Sequence, residues 1–148
     1  MTISAGSTSG AITIAGIVND ALDEPNETVI VTLSSPTNAT LGSDNVHTYT
    51  INDNDNPPVV DFNTTSSNGA ESVSSKAITV DLSAASSQNV TVNYTVTGTA
   101  AGAGTDYTLA NGTANIAAGS TSTTITIASI VNDTLDEDNE TVILTLSN

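Results

Sequence analysis

The sequence predicts an all-β protein, built as a tandem repeat of immunoglobulin-like antiparallel β-sandwich units. Three observations predict it. Apolar and polar residues alternate in "VTVNYTV" (90–96), "AITVDLS" (77–83), "TVILTLS" (141–147) and "TVIVTLS" (28–34), and a period of two marks half-buried antiparallel strands. The apolar residues are mostly Val, Ile, Leu and Ala, set among Thr, Ser and Asn, with only four aromatics in 148 residues. That mix suits strands and turns around a thin aliphatic core. The chain also repeats itself: residues 3–35 and 116–148, offset by 113, are identical at 25 of 33 positions. A repeat of that length is a tandem domain rather than a short solenoid unit.

Taken in order, the elements follow from this pattern. "ITIAGIV" (12–18) and its twin "ITIASIV" (125–131) each read as a strand whose alternation breaks near the end. A break that recurs in both copies predicts a built-in bulge or bend. Each is followed by an acidic loop and then by a strand, 28–34 in the first copy and 141–147 in the second. "VHTYTIN" (46–52) closes the first copy, with His47, Tyr49 and Ile51 on one face, which reads as a core-edge histidine rather than a general base. In the second copy, Ile78, Val80 and Leu82 share a face of one strand, and Val90, Val92, Tyr94 and Val96 share a face of the next. Asn111-Gly112 predicts a hairpin turn of the primed type. Turn residues between these runs give about seven strands per unit.

The repeat does not start where the chain starts. A full unit is recovered by joining residues 57–148 to residues 36–56. Residues 1–56 are thus the C-terminal part of a first repeat, and 57–148 are a second repeat lacking its last strand. Pro57-Pro58 makes the connector short and extended. With three linker residues, which reach about 10 Å, the chain is not expected to lend residues 46–52 to its own second unit, because a strand spans about 20 Å. A longer working molecule, of which this Met-first chain is a piece, or separate chains that complete each other head to tail, is expected instead.

Charge narrows the function. The chain has one Lys, no Arg and a formal charge of −15. No basic stripe for nucleic acid can be built from it, and direct binding to an anionic membrane fails for the same reason. No apolar run approaches a membrane span, and no signal peptide is visible. There is no cysteine, hence no disulfide, thiolate zinc site or thiol nucleophile. Such a composition is commonest among secreted bacterial surface proteins. The expected setting is therefore extracellular or at the cell surface.

What remains is the acid itself. "VNDTLDEDNE" (131–140) holds five carboxylates with no cation beside them, and "VNDALDEPNE" (18–27) is its twin. A single acidic loop is ordinarily just a solvated surface. Here, further acids stand where other loops of the sandwich fall: Glu71 in "GAESVS", Asp106 in "GTDYTL", and Asp53 and Asp55 in "NDND". Alternate loops of a sandwich gather at one end, so Glu71, Asp106, Asp133 and Glu137 are expected to converge. Like charges at ~4 Å repel by about 1 kcal/mol per pair in water and about 4 kcal/mol near a protein surface. Hard oxygen donors without His or Cys select Ca²⁺.

"GAESVSSKAITVDLS", "GTAAGAGTDYTL", "IASIVNDTLDEDNETVILTLSN" and "HTYTINDND" together resemble the Calx-beta domain. This module occurs in sodium/calcium exchangers, an integrin subunit and many giant bacterial surface proteins. The resemblance covers essentially the whole chain and implies a seven-stranded sandwich. It also implies a set of Ca²⁺ ligands: Glu71, Asp106, Asp133 and Glu137 in the second unit, and Asp20, Glu24, Asp53 and Asp55 in the partial first unit. Glu27 and Glu140 are open between ligation and capping, while Asp23, Asp136 and Asp138 read as solvated. Asn132 and Asn19 stand where calcium-binding members often have Asp, and "NDND" replaces a consecutive Asp run. Fewer charges imply fewer or weaker ions, in the ~10⁻⁴–10⁻³ M class. An ion held beside Pro57-Pro58 is also expected to stiffen the joint.

The resulting expectation is a calcium-stabilised structural repeat of an extracellular bacterial adhesin or fibre. Its partners would be neighbouring repeats or copies of the same protein. The alternative is a module whose loops bind a carbohydrate or protein ligand, although no Trp, Tyr or Arg anchor patch stands out for it. Catalysis is not expected. Paired carboxylates could hydrolyse glycosides only in an aromatic-lined cleft, and aromatics are nearly absent. The Thr-rich "TSTTITI" (121–127) is ordinary strand chemistry rather than an ice-binding ladder. The Asn-x-Thr triplets are what an Asn/Thr-rich chain produces by chance.

Overall fold

The computed structural model describes residues 1–134 and 136–147. All regular structure in them is β: β1 (Glu27–Thr32), β2 (Val46–Ile51), β3 (Val60–Phe62), β4 (Ser75–Leu82), β5 (Val90–Gly98), β6 (Gly112–Ile116), β7 (Ser122–Ala128) and β8 (Val142–Ser147). Every strand pairing is antiparallel. Contacts divide the chain into two compact units. One comprises Met1–Ala21 and Pro25–Asp53, the other Leu22–Glu24 and Asn54–Asn148.

The second unit is a sandwich of two three-stranded sheets, ordered β3-β4-β7 and β6-β5-β8. Its strands obey the alternation of the sequence. Along β5, Val90, Val92, Tyr94 and Val96 turn inward while Thr91, Asn93 and Thr95 are exposed. Val80, Leu82 and Ile125 from one sheet meet Ala114 and Ile116 from the other, and Phe62, Val92, Leu144 and Leu146 pack around them. Val80 and Ile116 are essentially inaccessible. Removing buried methylenes here costs transfer energy plus a cavity. Ser86, the buried polar residue, donates Oγ to the Asp23 carboxylate at 3.0 Å and takes a hydrogen bond from the Gln88 amide. Asp23 is therefore a structural acceptor rather than the solvated acid its sequence context suggests.

The first unit contains the hairpin of β1 and β2, with Val31 opposite His47 and Val29 opposite Tyr49. Val31, His47 and Tyr49 line an open groove of about 790 Å³ together with Ile12, Ile14 and Ile17. His47 is exposed at its rim rather than embedded in a core. "ITIAGIV" is not a strand, contrary to expectation, whereas its twin is β7. The reason lies in the partner. β7 is held along its length by β4, Ser75 opposite Ala128 through Asp81 opposite Ser122, and the first unit holds no strand equivalent to β4 among its described residues. A strand without a neighbour leaves its backbone groups to water.

Two local expectations are resolved. The parity break is a left-handed residue in both copies, Gly16 at φ 74° and Ser129 at φ 50°. Asn111-Gly112 is not a primed turn. Gly112 opens β6 opposite Tyr94, and a Cβ on it would sit 2.8 Å from the Tyr94 hydroxyl. The Asn111 side chain accepts the Val96 amide at 2.8 Å and so extends the ladder of β5. The linker is also longer than expected, since residues 52–59 separate β2 from β3. Eight residues can reach about 26 Å, so length does not keep β2 from β8. In the structure β2 nonetheless pairs with β1.

Candidate metal centre

The acidic loop after β7 is fixed at both ends to the loops that carry the other acids of the second unit. At its start, the Ile130 amide donates to Ser74 at 3.1 Å, just beyond the turn in which the Val73 amide donates to Ala70 across Glu71. The Val131 amide donates to the Asp106 carbonyl at 2.9 Å, and Thr108 and Ala128 exchange backbone hydrogen bonds. At its end, the Thr99 and Ala100 amides both donate to the Thr141 carbonyl, and the Thr141 amide donates to the Thr99 hydroxyl at 2.8 Å. Three loops are thus drawn to one end of the sandwich by backbone hydrogen bonds, whatever their side chains prefer.

Asp106 is the best-held of the acids. Tyr107 beside it is buried and anchors the loop, so Asp106 lies half-buried. Its carboxylate accepts the Ala101 amide, and its own amide returns a bond to the Ala101 carbonyl at 2.9 Å. Glu71, Asp133, Glu137 and Glu140 are exposed around it. Their mutual influence is electrostatic. The charge of Asp133 raises the Glu137 pKa above its ordinary 4.5, and partial desolvation and the charges of Glu71 and Asp106 act in the same direction. The Glu140 pKa is raised by partial desolvation first and then by the charge of Asp106. A hydrogen bond with Asp106 that only the protonated acid can donate adds to this, as do Glu137 and Glu71.

The charges of Asp133, Glu71 and Asp106 thus reach Glu137, and those of Asp106, Glu137 and Glu71 reach Glu140. Its spacing, three residues after Glu137 and immediately before the strand segment, was the available signal. Proximity is not yet coordination: among the described residues, no three acidic or histidine side chains converge closely enough to form a preformed ion cage.

The remaining candidate ligands are placed one by one. Asp20 is exposed in the coil of the first unit. Asp53 of the same unit is half-buried, and its amide donates to the Asn26 side chain at 2.8 Å, which fixes the exit of β2 beside the entry of β1. Glu24, exposed, and Asp55, half-buried, group with the second unit.

A single family model, that of the Calx-beta domain, matches residues 2–55 and again residues 53–148. The chain belongs to the Calx-beta domain family. No curated protein matches it. In this Calx-beta chain, the carboxylates at the end of the second unit are hard oxygen donors, the type that divalent calcium takes. Every candidate side-chain donor at the end of the second unit is a carboxylate oxygen; Glu137 is raised first by the charge of Asp133, and Glu140 first by partial desolvation and then by the charge of Asp106. Calcium takes six to eight oxygens with loose angular demands. A set of exposed carboxylates on backbone-tethered loops can supply these by small side-chain rotations. Glu71, Asp106, Asp133, Glu137 and Glu140 are the carboxylates at this end that could offer oxygens to such an ion.

Proposed function

We propose that this Calx-beta chain is a calcium-stabilised structural repeat of an extracellular bacterial adhesin or fibre, with no catalytic role, in which ions brace the sandwich end and stiffen a rod-like array. One observation supports this most strongly: the raised Glu137 and Glu140 carboxyls, facing Asp133, Asp106 and Glu71. Charges of one sign gathered by the backbone oppose the fold that gathers them. A divalent cation turns that opposition into cohesion. The extracellular setting is supported by the net charge of −15 and the lack of cysteine.

Thermal unfolding with calcium and with chelator tests the proposal. For a site of ~10⁻⁴–10⁻³ M affinity, about 10 mM Ca²⁺ contributes roughly 1.4–2.7 kcal/mol by mass action. That corresponds to about 5–15 °C in Tm for a domain of this size. Magnesium at the same concentration should give much less, because it resists dehydration and demands a tighter octahedron. Identical melting curves in Ca²⁺ and EDTA would remove the basis of the proposal.

A further inference from the structure

An asparagine followed by glycine is where a chain most readily modifies itself, because glycine has no side chain to shield its amide nitrogen from the asparagine carboxamide. This chain has two such pairs, Asn68-Gly69 and Asn111-Gly112, and the fold holds them differently. Asn68 and Gly69 are both exposed, in the coil between β3 and β4. Among the described residues, nothing hydrogen-bonds to the Asn68 carboxamide or to the Gly69 amide. A Cβ on Gly69 would meet no atom within 4 Å, so the backbone there has room to turn. The second pair is clamped. The Asn111 carboxamide oxygen accepts the Val96 amide at 2.8 Å, and Gly112 stands opposite Tyr94 in the ladder of β5 and β6.

We propose that Asn68 is a self-modification site, which the folded chain converts with water to aspartate and isoaspartate, while the same chemistry is held back at Asn111. The Gly69 nitrogen, having lost its proton, attacks Asn68 Cγ. A bond forms between them, the bond from Cγ to the side-chain nitrogen breaks, and that nitrogen leaves with a proton as ammonia. The ring so closed is a succinimide. Water opens it by breaking the bond from the Gly69 nitrogen to either carbonyl carbon. Breakage at Cγ restores the ordinary chain with an aspartate at position 68. Breakage at the backbone carbonyl leaves the chain running through Cγ, as isoaspartate. Nothing is oxidised or reduced. Closing the ring requires the side chain to swing over the next nitrogen. That swing breaks no hydrogen bond at Asn68, whereas at Asn111 it gives up the Val96 amide and strains a residue pair fixed by its neighbouring strand. Each conversion adds a carboxylate three residues before Glu71, whose charge already reaches Glu137 and Glu140. The charge of the acidic end therefore grows with the age of the molecule.

The reaction belongs to the polypeptide alone and does not rest on the calcium reading, so the two can fail separately. The whole chain is aged in mildly alkaline buffer with EDTA, well below its Tm, and in parallel in denaturant. Peptide mapping by tandem mass spectrometry then follows the exchange of amide for hydroxyl at each asparagine, and an isoaspartyl methyltransferase assay follows the rearranged backbone. In the folded chain, Asn68 should convert several-fold faster than Asn111, and in denaturant the two rates should draw together. Gly69→Ala places a methyl group in open space at a residue without a positive φ. It should leave Tm unchanged and slow the conversion of Asn68 several-fold. Asn111→Asp should leave the rate at Asn68 unchanged, because the two pairs react independently. Three results would each overturn the proposal: Asn111 converting as fast as Asn68 in the folded chain, Asn68 persisting as long as the nearby Asn63, or a ratio of the two rates that denaturant does not alter. The last would assign the difference to flanking sequence rather than to the fold. The calcium melts, run on fresh protein, report on the brace alone.

Discussion

Ser129 shows what one residue can cost. At φ 50° it occupies the left-handed region, which disfavours a residue with a Cβ by about 1–2 kcal/mol. Its repeat twin at the same bend is Gly16. Ser129→Gly should therefore stabilise the second unit by about 0.5 kcal/mol after the entropy gained by the unfolded glycine is subtracted. Differential scanning calorimetry should show this as a Tm rise of about 2–4 °C. The acids make a second residue-scale prediction. Glu137→Gln and Glu140→Gln each remove a charge that its neighbours oppose. Each should raise Tm in EDTA and lose much of the rise that calcium gives the unmodified chain. A substitution that lowers Tm in EDTA would mean that the carboxylate stabilises the metal-free fold. The pH dependence has the same origin. Both carboxyls hold protons more tightly folded than unfolded, so the folded state binds more protons between 4.5 and the raised folded values. Stability of the metal-free chain should rise as pH falls from neutrality through that window, with the contribution complete below 4.5. In saturating calcium the sign should invert, because protonation then competes with the ion. Melts at pH 7 and about 5, each with and without calcium, distinguish the two cases.

At the scale of elements, the acidic loop depends on a glycine that looks unremarkable in the sequence. Gly98 ends β5 at φ 137°, and a Cβ on it would lie 2.0 Å from the Thr141 carbonyl oxygen, the atom that accepts the Thr99 and Ala100 amides. Gly98→Ala should cost about 2–3 kcal/mol through strain and the displaced staple, and should weaken calcium binding in titration calorimetry although residue 98 bears no donor side chain. Such tertiary contacts explain what the sequence did and did not reveal. The strands were legible because alternation is a local signal: β4, β5, β7 and β8 lie within two residues or so of the runs that predict them, apart from the bend segment after β7. That Glu137 lies in the field of Asp133, Glu71 and Asp106 was legible because loop order in a sandwich is a topological rule, whereas a close ligand cluster is not formed among the described residues. The fate of "ITIAGIV" was not, because it is decided by the presence of a β4-like neighbour rather than by its own residues. Nor was the role of Gly112, whose cause is the Tyr94 ring, or that of Asp23, whose cause is Ser86. In each case the deciding atom is remote in sequence.

Across the whole molecule, the two units differ in how much they bury, and stability should divide accordingly. Every buried residue among those described belongs to the second unit, from Val80 to Ile127. The first unit offers a two-stranded hairpin and an open groove, and an isolated hairpin is marginal in water. Amides held by a hairpin open locally, whereas amides over a closed core open only when the domain does. Hydrogen exchange should therefore find β4, β5 and β7 protected at least about a hundredfold more than β1 and β2, equivalent to about 2.7 kcal/mol in opening free energy. Calcium should act on a third class. The amides of Ile130, Val131 and Thr141, which tether the acidic loop, should slow more than mid-strand amides of β5 when calcium is added, because an ion held as proposed and these bonds would restrain the same loop. A calcium effect spread evenly over the second unit would instead mean that the ion acts on global unfolding alone.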